Sequence, residues 1–271
     1  MKTKETFQQR LPQTNTMFIP FIMAGDPSPD ITVELALALQ EAGASILELG
    51  IPYSDPLADG PIIQRSAARA LNNGVSLKNA IELVPAMRKK GLKIPVIVFT
   101  YFNPVLQLGE DYFLALAKKN DIDGLLIPDL PFEESESLRN KCLENGLEFI
   151  SLVAPTSKQR IIKIASQAQG FLYCVSSLGV TGVRQYLDED IYTFLQNVKQ
   201  YSNVPIAVGF GISTPDQVQM LKEHSDGIVM GSALIQKVEE LSNQLLNSET
   251  FDLAIDEFKQ FIMSVISPIN R

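Results

Sequence analysis

The chain has no tryptophan, a single histidine (His224) and only two cysteines in 271 residues. One histidine cannot build a His-rich zinc site, and Cys142 and Cys174 are too few for a disulfide framework. The expectation is a reducing compartment and no metal centre. Acid–base chemistry would then fall to carboxylates, Tyr, Lys or Cys. Basic charge is also scarce: 23 Lys and Arg against 31 Asp and Glu leave a formal net charge of −8. With no block of like charges, this argues against a nucleic-acid footprint or attraction to anionic membranes. An anionic ligand would have to be held by local groups. No apolar run approaches the ~18 residues of a membrane helix. Residues Met1 to Arg10 carry neither the apolar stretch of a signal peptide nor an Arg-rich amphipathic pattern. The chain is therefore expected to be soluble and to stay where it is made.

What is present is apolar patterning. With 45% hydrophobic and 20% charged residues, disorder and fibres are excluded and an independent core is assured. Short β-branched runs at 18–24, 46–50, 95–100, 124–127, 149–154, 171–175, 205–209 and 227–230 read as eight strands. They alternate with helical-period segments at 30–42, 76–90, 111–120, 133–145, 158–168, 189–200, 215–223 and 235–246. Ser28-Pro29 and Thr214-Pro215 pair a capping hydroxyl with proline at the first helical position, while Gly43, Gly91 and Gly146 mark helix ends. Because most strands are continuous apolar runs, they should be buried on both faces, as parallel strands flanked by helices are. Eight such units predict an α/β chain folded as a (β/α)8 TIM barrel, with a Rossmann-like open sheet as the alternative. An internal echo favours closure. Residues 93–98 resemble 203–208, and Asp123-Gly124-Leu125-Leu126 resembles Asp226-Gly227-Ile228-Val229. Residues 1–271 are expected to form one domain, with an extension or helix over 1–16, an extra helix near 64–71, and a terminal helix near 251–265 within 250–271.

In such barrels chemistry sits at the C-terminal strand ends. Strand seven is followed by Gly209-Phe210-Gly211-Ile212-Ser213, and strand eight by Gly231-Ser232 opening a helix. Glycines permit close backbone approach and helix-start amides bind anions, so a phosphorylated small substrate is favoured. The sixth loop, Ser176-Ser177-Leu178-Gly179-Val180-Thr181-Gly182, has the glycines of a mobile flap. Tight βα turns alone would also explain these glycines. Glu48, flanked by Leu47 and Leu49, should be desolvated, which raises a carboxyl pKa and suits a proton shuttle. A structural ion pair is the other reading. Asp59, in a loop bracketed by Pro56 and Pro61, is a second carboxylate at the rim or a turn residue. Asp129 is expected to stabilise its loop. Tyr173 faces either the barrel mouth or the core, Cys174 the opposite side, and His224 is expected to be dispensable.

At these residues the chain resembles the tryptophan synthase alpha-subunit family. The resemblance rests on the run from Glu48 to Pro61, on Ala24-Gly25-Asp26-Pro27, Tyr101-Phe102-Asn103-Pro104 and Pro128-Asp129-Leu130-Pro131, and on Ala154-Pro155-Thr156 with the two glycine loops. It implies retro-aldol cleavage of indole-3-glycerol phosphate to indole and glyceraldehyde 3-phosphate, a carbon–carbon lyase reaction. It assigns Glu48 as acid then base and Asp59 as acceptor of the indole N–H. Gly182, Gly211, Gly231 and Ser232 would hold phosphate, and Phe21, Tyr173, Thr181 and Phe210 would line an indole pocket. It further implies an α2β2 heterotetramer whose beta subunit carries pyridoxal phosphate, with no cofactor in this chain. Docking would run through Pro52, Asp55, Asn103, Pro104 and Pro131, and closure of the loops at 55–59 and 179–184 would be linked to the partner's state. The compartment would be a bacterial cytoplasm, or a plastid stroma if plastid-encoded. A stand-alone lyase releasing free indole, a purely allosteric partner and a phosphosugar isomerase are the competing readings.

Overall fold

A computed structural model describes residues 5–175, 190–209 and 211–269. Eight parallel strands close into a barrel in sequence order: β1 (Met17–Met23), β2 (Leu47–Gly50), β3 (Val96–Phe99), β4 (Gly124–Leu126), β5 (Glu148–Val153), β6 (Leu172–Val175), β7 (Ile206–Gly209) and β8 (Gly227–Met230). The ring is completed by β1 against β8, with Met17 opposite Gly227 and Pro20 opposite Met230. Closure settles the architecture in favour of the barrel over an open sheet. All eight expected strands are present, most of them trimmed by one residue or more at the ends.

The two-residue strand period divides the core. Inward-pointing Ile19, Ile46, Ile97, Leu126, Ile150, Phe171, Ala207 and Val229 fill the barrel. Their neighbours Leu47, Leu49, Val96, Val98, Leu125, Cys174 and Val208 face outward and pack in the large core beneath the helices. A short helix, Phe7–Arg10, is fixed by a capping box between Thr6 and Gln9 and sends Phe7 into the barrel's inner cluster. The N-terminal segment is thus a plug for the barrel floor.

One helical expectation requires correction, and one helix is additional. The single helix at 76–90 is two, Leu77–Ile81 and Val84–Lys89. Pro85 cannot donate a backbone bond to the preceding turn, so the chain restarts there. A helix that the apolar period did not indicate, Phe102–Leu108, follows β3 within the Tyr101-Phe102-Asn103-Pro104 motif. Pro104 lies in the first turn, where its missing N–H would be unpaired in any case, and the Phe102 N–H donates to Asp129 Oδ1 at 2.9 Å. The last barrel helix begins at Ser232, as the Gly231-Ser232 opening leads one to expect and three residues ahead of the periodic segment at 235–246, and Gly231 supplies no side-chain cap to its amides.

The internal echo has a structural counterpart at the barrel floor. Asp123 accepts the Val96 N–H at 2.9 Å and donates its own N–H to Val96 O at 3.0 Å. Asp226 does the same with Ile206, at 3.0 and 2.8 Å. Each aspartate fastens the start of one strand to the next, and each is met by a cation from the preceding helix side, Arg88 at 2.7 Å and Lys199 at 2.8 Å. Arg10 Nη2 donates to both carboxylate oxygens of Asp121, at 3.0 and 2.8 Å, and its Nη1 lies 3.5 Å from Asp123. Removing the Asp123 carboxylate would leave two largely buried guanidiniums undercompensated. Asp123→Ala is expected to destabilise the fold by about 3–5 kcal/mol, read by urea denaturation; a loss under about 1 kcal/mol would show that these charges are not held together by Asp123.

Candidate active site

A cavity of about 400 Å³ opens at the C-terminal ends of the strands, a volume suited to a small ligand. Of the residues singled out from sequence, Phe21, Glu48, Asp59, Tyr173, Gly211, Gly231 and Ser232 all line it. Thr181, Gly182 and Phe210, with the loop at 179–184, lie outside the described residues.

Glu48 reaches the cavity because β2 alternates. Ile46 and Glu48 point inward, while Leu47 and Leu49 pack outward. It stands opposite Phe21 on β1 and Ile97 on β3 and is 1% exposed. No salt bridge to it is present among the described residues, and its Oε1 has no hydrogen-bond partner there. Among the described residues the ion-pair reading therefore has no partner to support it. Burial alone raises its pKa to about 8, because the charged form has lost its water and gained nothing in exchange. Asp59 is 7% exposed. Its pKa rises to about 6, the desolvation being opposed by a hydrogen bond from the Tyr101 hydroxyl. The two carboxyls at one cavity thus differ in ionisation at neutral pH.

Glycines make room for the aromatic walls. A Cβ on Gly50 would overlap the Phe21 ring, and one on Gly209 would overlap the Tyr173 hydroxyl with Val229 on the other side. Phe21 in turn meets Phe99 edge-on, with centroids 5.4 Å apart and planes at 81°. Gly211 adopts φ +67°, open to glycine. With Gly231 and the uncapped start of the Ser232–Leu245 helix it places backbone donors on one side of the cavity. No Lys or Arg is among the described lining residues.

Several lining residues escaped the sequence reading: Ile63, Phe99, Pro128, Leu152, Val175 and Val229. The signal was the strand period, since Phe99 and Leu152 lie two residues beyond the inward Ile97 and Ile150. Tyr101, quoted only as part of a motif, follows Phe99 by the same step. The remaining candidates are dispersed. Asp129 ties its loop to Phe102. Cys174 is buried with its thiol pKa pushed well up by desolvation. His224 packs against Tyr192 at 4.5 Å just before β8, at the opposite end of the barrel from the cavity. Among the proposed docking residues Asp55, Asn103 and Pro131 are exposed, Pro104 is half-buried, and Pro52 is buried within the chain itself. Among the described residues no cluster of three or more His, Cys, Asp or Glu is arranged to hold a metal ion.

Residues 7–263 match the family model for the tryptophan synthase alpha chain. The chain belongs to the tryptophan synthase alpha chain family. It is 64% identical over 261 residues to the alpha chain of Geobacillus sp. (strain WCH70), covering 96% of this chain and 99% of that one. It is 60% identical over 256 residues to the alpha chain of Bacillus pumilus (strain SAFR-032), covering 94% and 95%. Among solved structures, the alpha subunit from Legionella pneumophila str. Paris superposes with a TM-score of 0.83 at 35% identity, over 94% of this chain and 93% of that one. A chain from the Pyrococcus furiosus tryptophan synthase α2β2 complex gives 0.83 at 34% identity, over 94% and 99%.

The glycine gap at β7 predicts a measurable coupling. Gly209→Ala should cost about 1–3 kcal/mol through overpacking, and less in a Tyr173→Phe background, because the first atom met is the hydroxyl. A double-mutant cycle on urea unfolding is expected to show a coupling of at least about 0.5 kcal/mol; strict additivity would mean that Gly209 does not shape the Tyr173 site.

Proposed function

We propose that this chain acts as the alpha subunit of an α2β2 tryptophan synthase, as a single domain, and carries out retro-aldol cleavage of indole-3-glycerol phosphate. The observation that carries the reading is the pair of carboxyls facing one apolar cavity. Burial holds Glu48 protonated at neutral pH, with its pKa at about 8, while Asp59, at about 6, is ionised. That division assigns acid and electrostatic roles without any metal or cofactor of the chain's own.

Cleavage needs three events that these groups can supply. Glu48 gives its proton to indole C3, converting the ring to a cationic indolenine. The Asp59 carboxylate accepts the indole N–H and stabilises the positive charge that develops on nitrogen. The Glu48 carboxylate so formed takes the proton of the glycerol hydroxyl next to the ring. The carbon–carbon bond breaks, its electron pair restores the indole, and the carbonyl of glyceraldehyde 3-phosphate forms. No net redox change occurs, and Glu48 ends protonated. Phe21 and Tyr173, with Thr181 and Phe210 from the family resemblance, form the indole pocket, and the apolar walls keep Glu48 dry. Backbone donors at Gly211, Gly231 and Ser232, with Gly182, hold the phosphate. A neutral backbone grip suits a cavity with no cationic side chain among its described lining, because it leaves Glu48 without a counter-charge.

Indole then passes to a beta subunit, which carries the pyridoxal phosphate. Asp55, Asn103, Pro104 and Pro131, with the buried Pro52, form the docking face. The similarity to a chain of an α2β2 complex favours this over a stand-alone lyase. Among the described residues no helix is long and apolar enough to cross a membrane.

The chain supplied with a beta subunit should form glyceraldehyde 3-phosphate, and the isolated chain should be slow. Rapid release of free indole by the isolated chain would instead identify the lyase. The kcat/KM profile should be bell-shaped: activity falls as pH drops through about 6, where Asp59 gains a proton, and as it rises through about 8, where Glu48 loses one. Glu48→Gln should lower turnover by at least about 1,000-fold, and retained turnover would refute the assignment. The same substitution tests the burial. Between pH 4.5 and 8 the unfolded chain has released the Glu48 proton and the folded chain has not, so wild-type stability falls as pH rises through this window. Gln does not titrate, so its stability relative to wild type should grow by about 4 kcal/mol across that interval. A pH-independent difference would mean that Glu48 ionises normally.

A further inference from the structure

Asp59 sits on a loop, yet its carboxyl is buried, and the group that fixes it comes from another strand. Tyr101 follows β3 and is itself 3% exposed. Its hydroxyl accepts the Ala58 N–H at 2.9 Å, which leaves its proton to favour the ionised Asp59 carboxyl beside it. One phenol therefore engages two consecutive loop residues, using both its lone pair and its proton. The ring is held in place from behind. Tyr53 packs against it with centroids 5.3 Å apart and planes at 33°, and the Tyr53 hydroxyl accepts Asn103 Nδ2–H at 2.9 Å. Neither bond to Tyr101 is needed to satisfy the barrel's backbone. Both act on the loop that delivers Asp59.

We propose that Tyr101 is a positioning residue of this active site, its hydroxyl pinning Ala58 and Asp59 so that the Asp59 carboxylate is presented to the indole N–H. The inference rests on the role given to Asp59 above. Tyr101 acts on the reaction through Asp59. Its donated hydrogen bond favours the ionised carboxylate and opposes the desolvation that would neutralise it. The other titratable groups around Asp59 are Glu48 on β2 and Tyr173 on β6, both lining the same cavity, Asp129 after β4, close enough to act on Tyr101, and Asp55 on the loop itself. None is a cation, so among the described residues Tyr101 is the one side chain found to favour the charged form of Asp59.

The test is Tyr101→Phe, assayed for indole-3-glycerol phosphate cleavage in complex with the beta subunit. The expected loss is about 10- to 100-fold, mostly in kcat, because the loop is less well held when the charge develops. The acid limb of the pH profile should move upward by up to about one unit, since Asp59 loses the bond that favours its ionised form. The unfolding midpoint should stay close to wild type, and the small residual rate of Asp59→Asn should not fall further when Tyr101→Phe is added. A wild-type kcat and an unmoved acid limb would overturn the proposal. So would an equal fractional loss in the Asp59→Asn background, which would mark a general structural effect. If Asp59→Asn itself cleaves at the wild-type rate, the role of Asp59 fails first and this proposal with it; an inactive Asp59→Asn beside a wild-type Tyr101→Phe overturns the Tyr101 proposal alone.

Discussion

The desolvation of one carboxyl group governs the rest of the site. Glu48 is placed by strand alternation inside a closed barrel, opposite Phe21 and Ile97, where it is 1% exposed and no cation among the described residues meets it. A carboxylate there would forfeit its hydration without compensation, so the group stays neutral. Every neighbouring feature is compatible with that constraint. Gly211, Gly231 and Ser232 line the cavity without a cationic side chain among its described lining, the aromatic walls are apolar, and Asp59, buried less completely than Glu48 and favoured in its ionised form by the Tyr101 hydroxyl, is the more acidic of the two carboxyls. A lysine in the cavity would hold phosphate well and would also pull Glu48 into its ionised form.

The scaffold supports this arrangement by separating stability from chemistry. The barrel floor carries one set of ion pairs, with Asp123 and Asp226 fastening successive strands and Arg10, Arg88 and Lys199 neutralising them. The plug helix seals the same end with Phe7. At the opposite end the strands finish in glycine or lead into it, at Gly50, Gly209 and Gly231, and the space so released is taken by Phe21 and Tyr173 or left as cavity. Above β1, Asp26 receives Ser66 and a bidentate Arg69, which moors the Pro61–Asn72 helix and its cavity-lining Ile63. A side chain added at a strand-end glycine acts directly on the pocket, whereas a charge removed at the floor acts on the fold.

Much of this was legible in the chain itself, for identifiable reasons. Continuous apolar runs announced strands buried on both faces, and hydroxyl–proline pairs announced helix starts; both are local signals, and both survive in the structure. Glu48 was legible because a carboxylate between two leucines is anomalous wherever that strand lies. The misses were of another kind. Pro85 divides a helix that hydrophobic period alone makes continuous, and the Phe102–Leu108 helix draws support from Asp129, a residue 27 positions away. Tyr101 could not be ranked above other core tyrosines, because its importance lies in a contact with a loop more than 40 residues earlier. Phe99 and Leu152 were within reach, had the two-residue period been carried one step past the inward isoleucines. Pro52 shows the converse limit. A proline in a loop motif reads as surface, and here it is buried.

The claim on which the account depends is that Glu48 is neutral at physiological pH through burial alone. It can be observed directly by carbon-13 NMR of the folded chain labelled at glutamate side-chain carboxyls, with the Glu48 resonance assigned by its loss in Glu48→Gln. The account predicts a resonance that titrates near pH 8 while exposed glutamates titrate near their ordinary value of about 4.3. A Glu48 resonance that titrates with the exposed ones would contradict it.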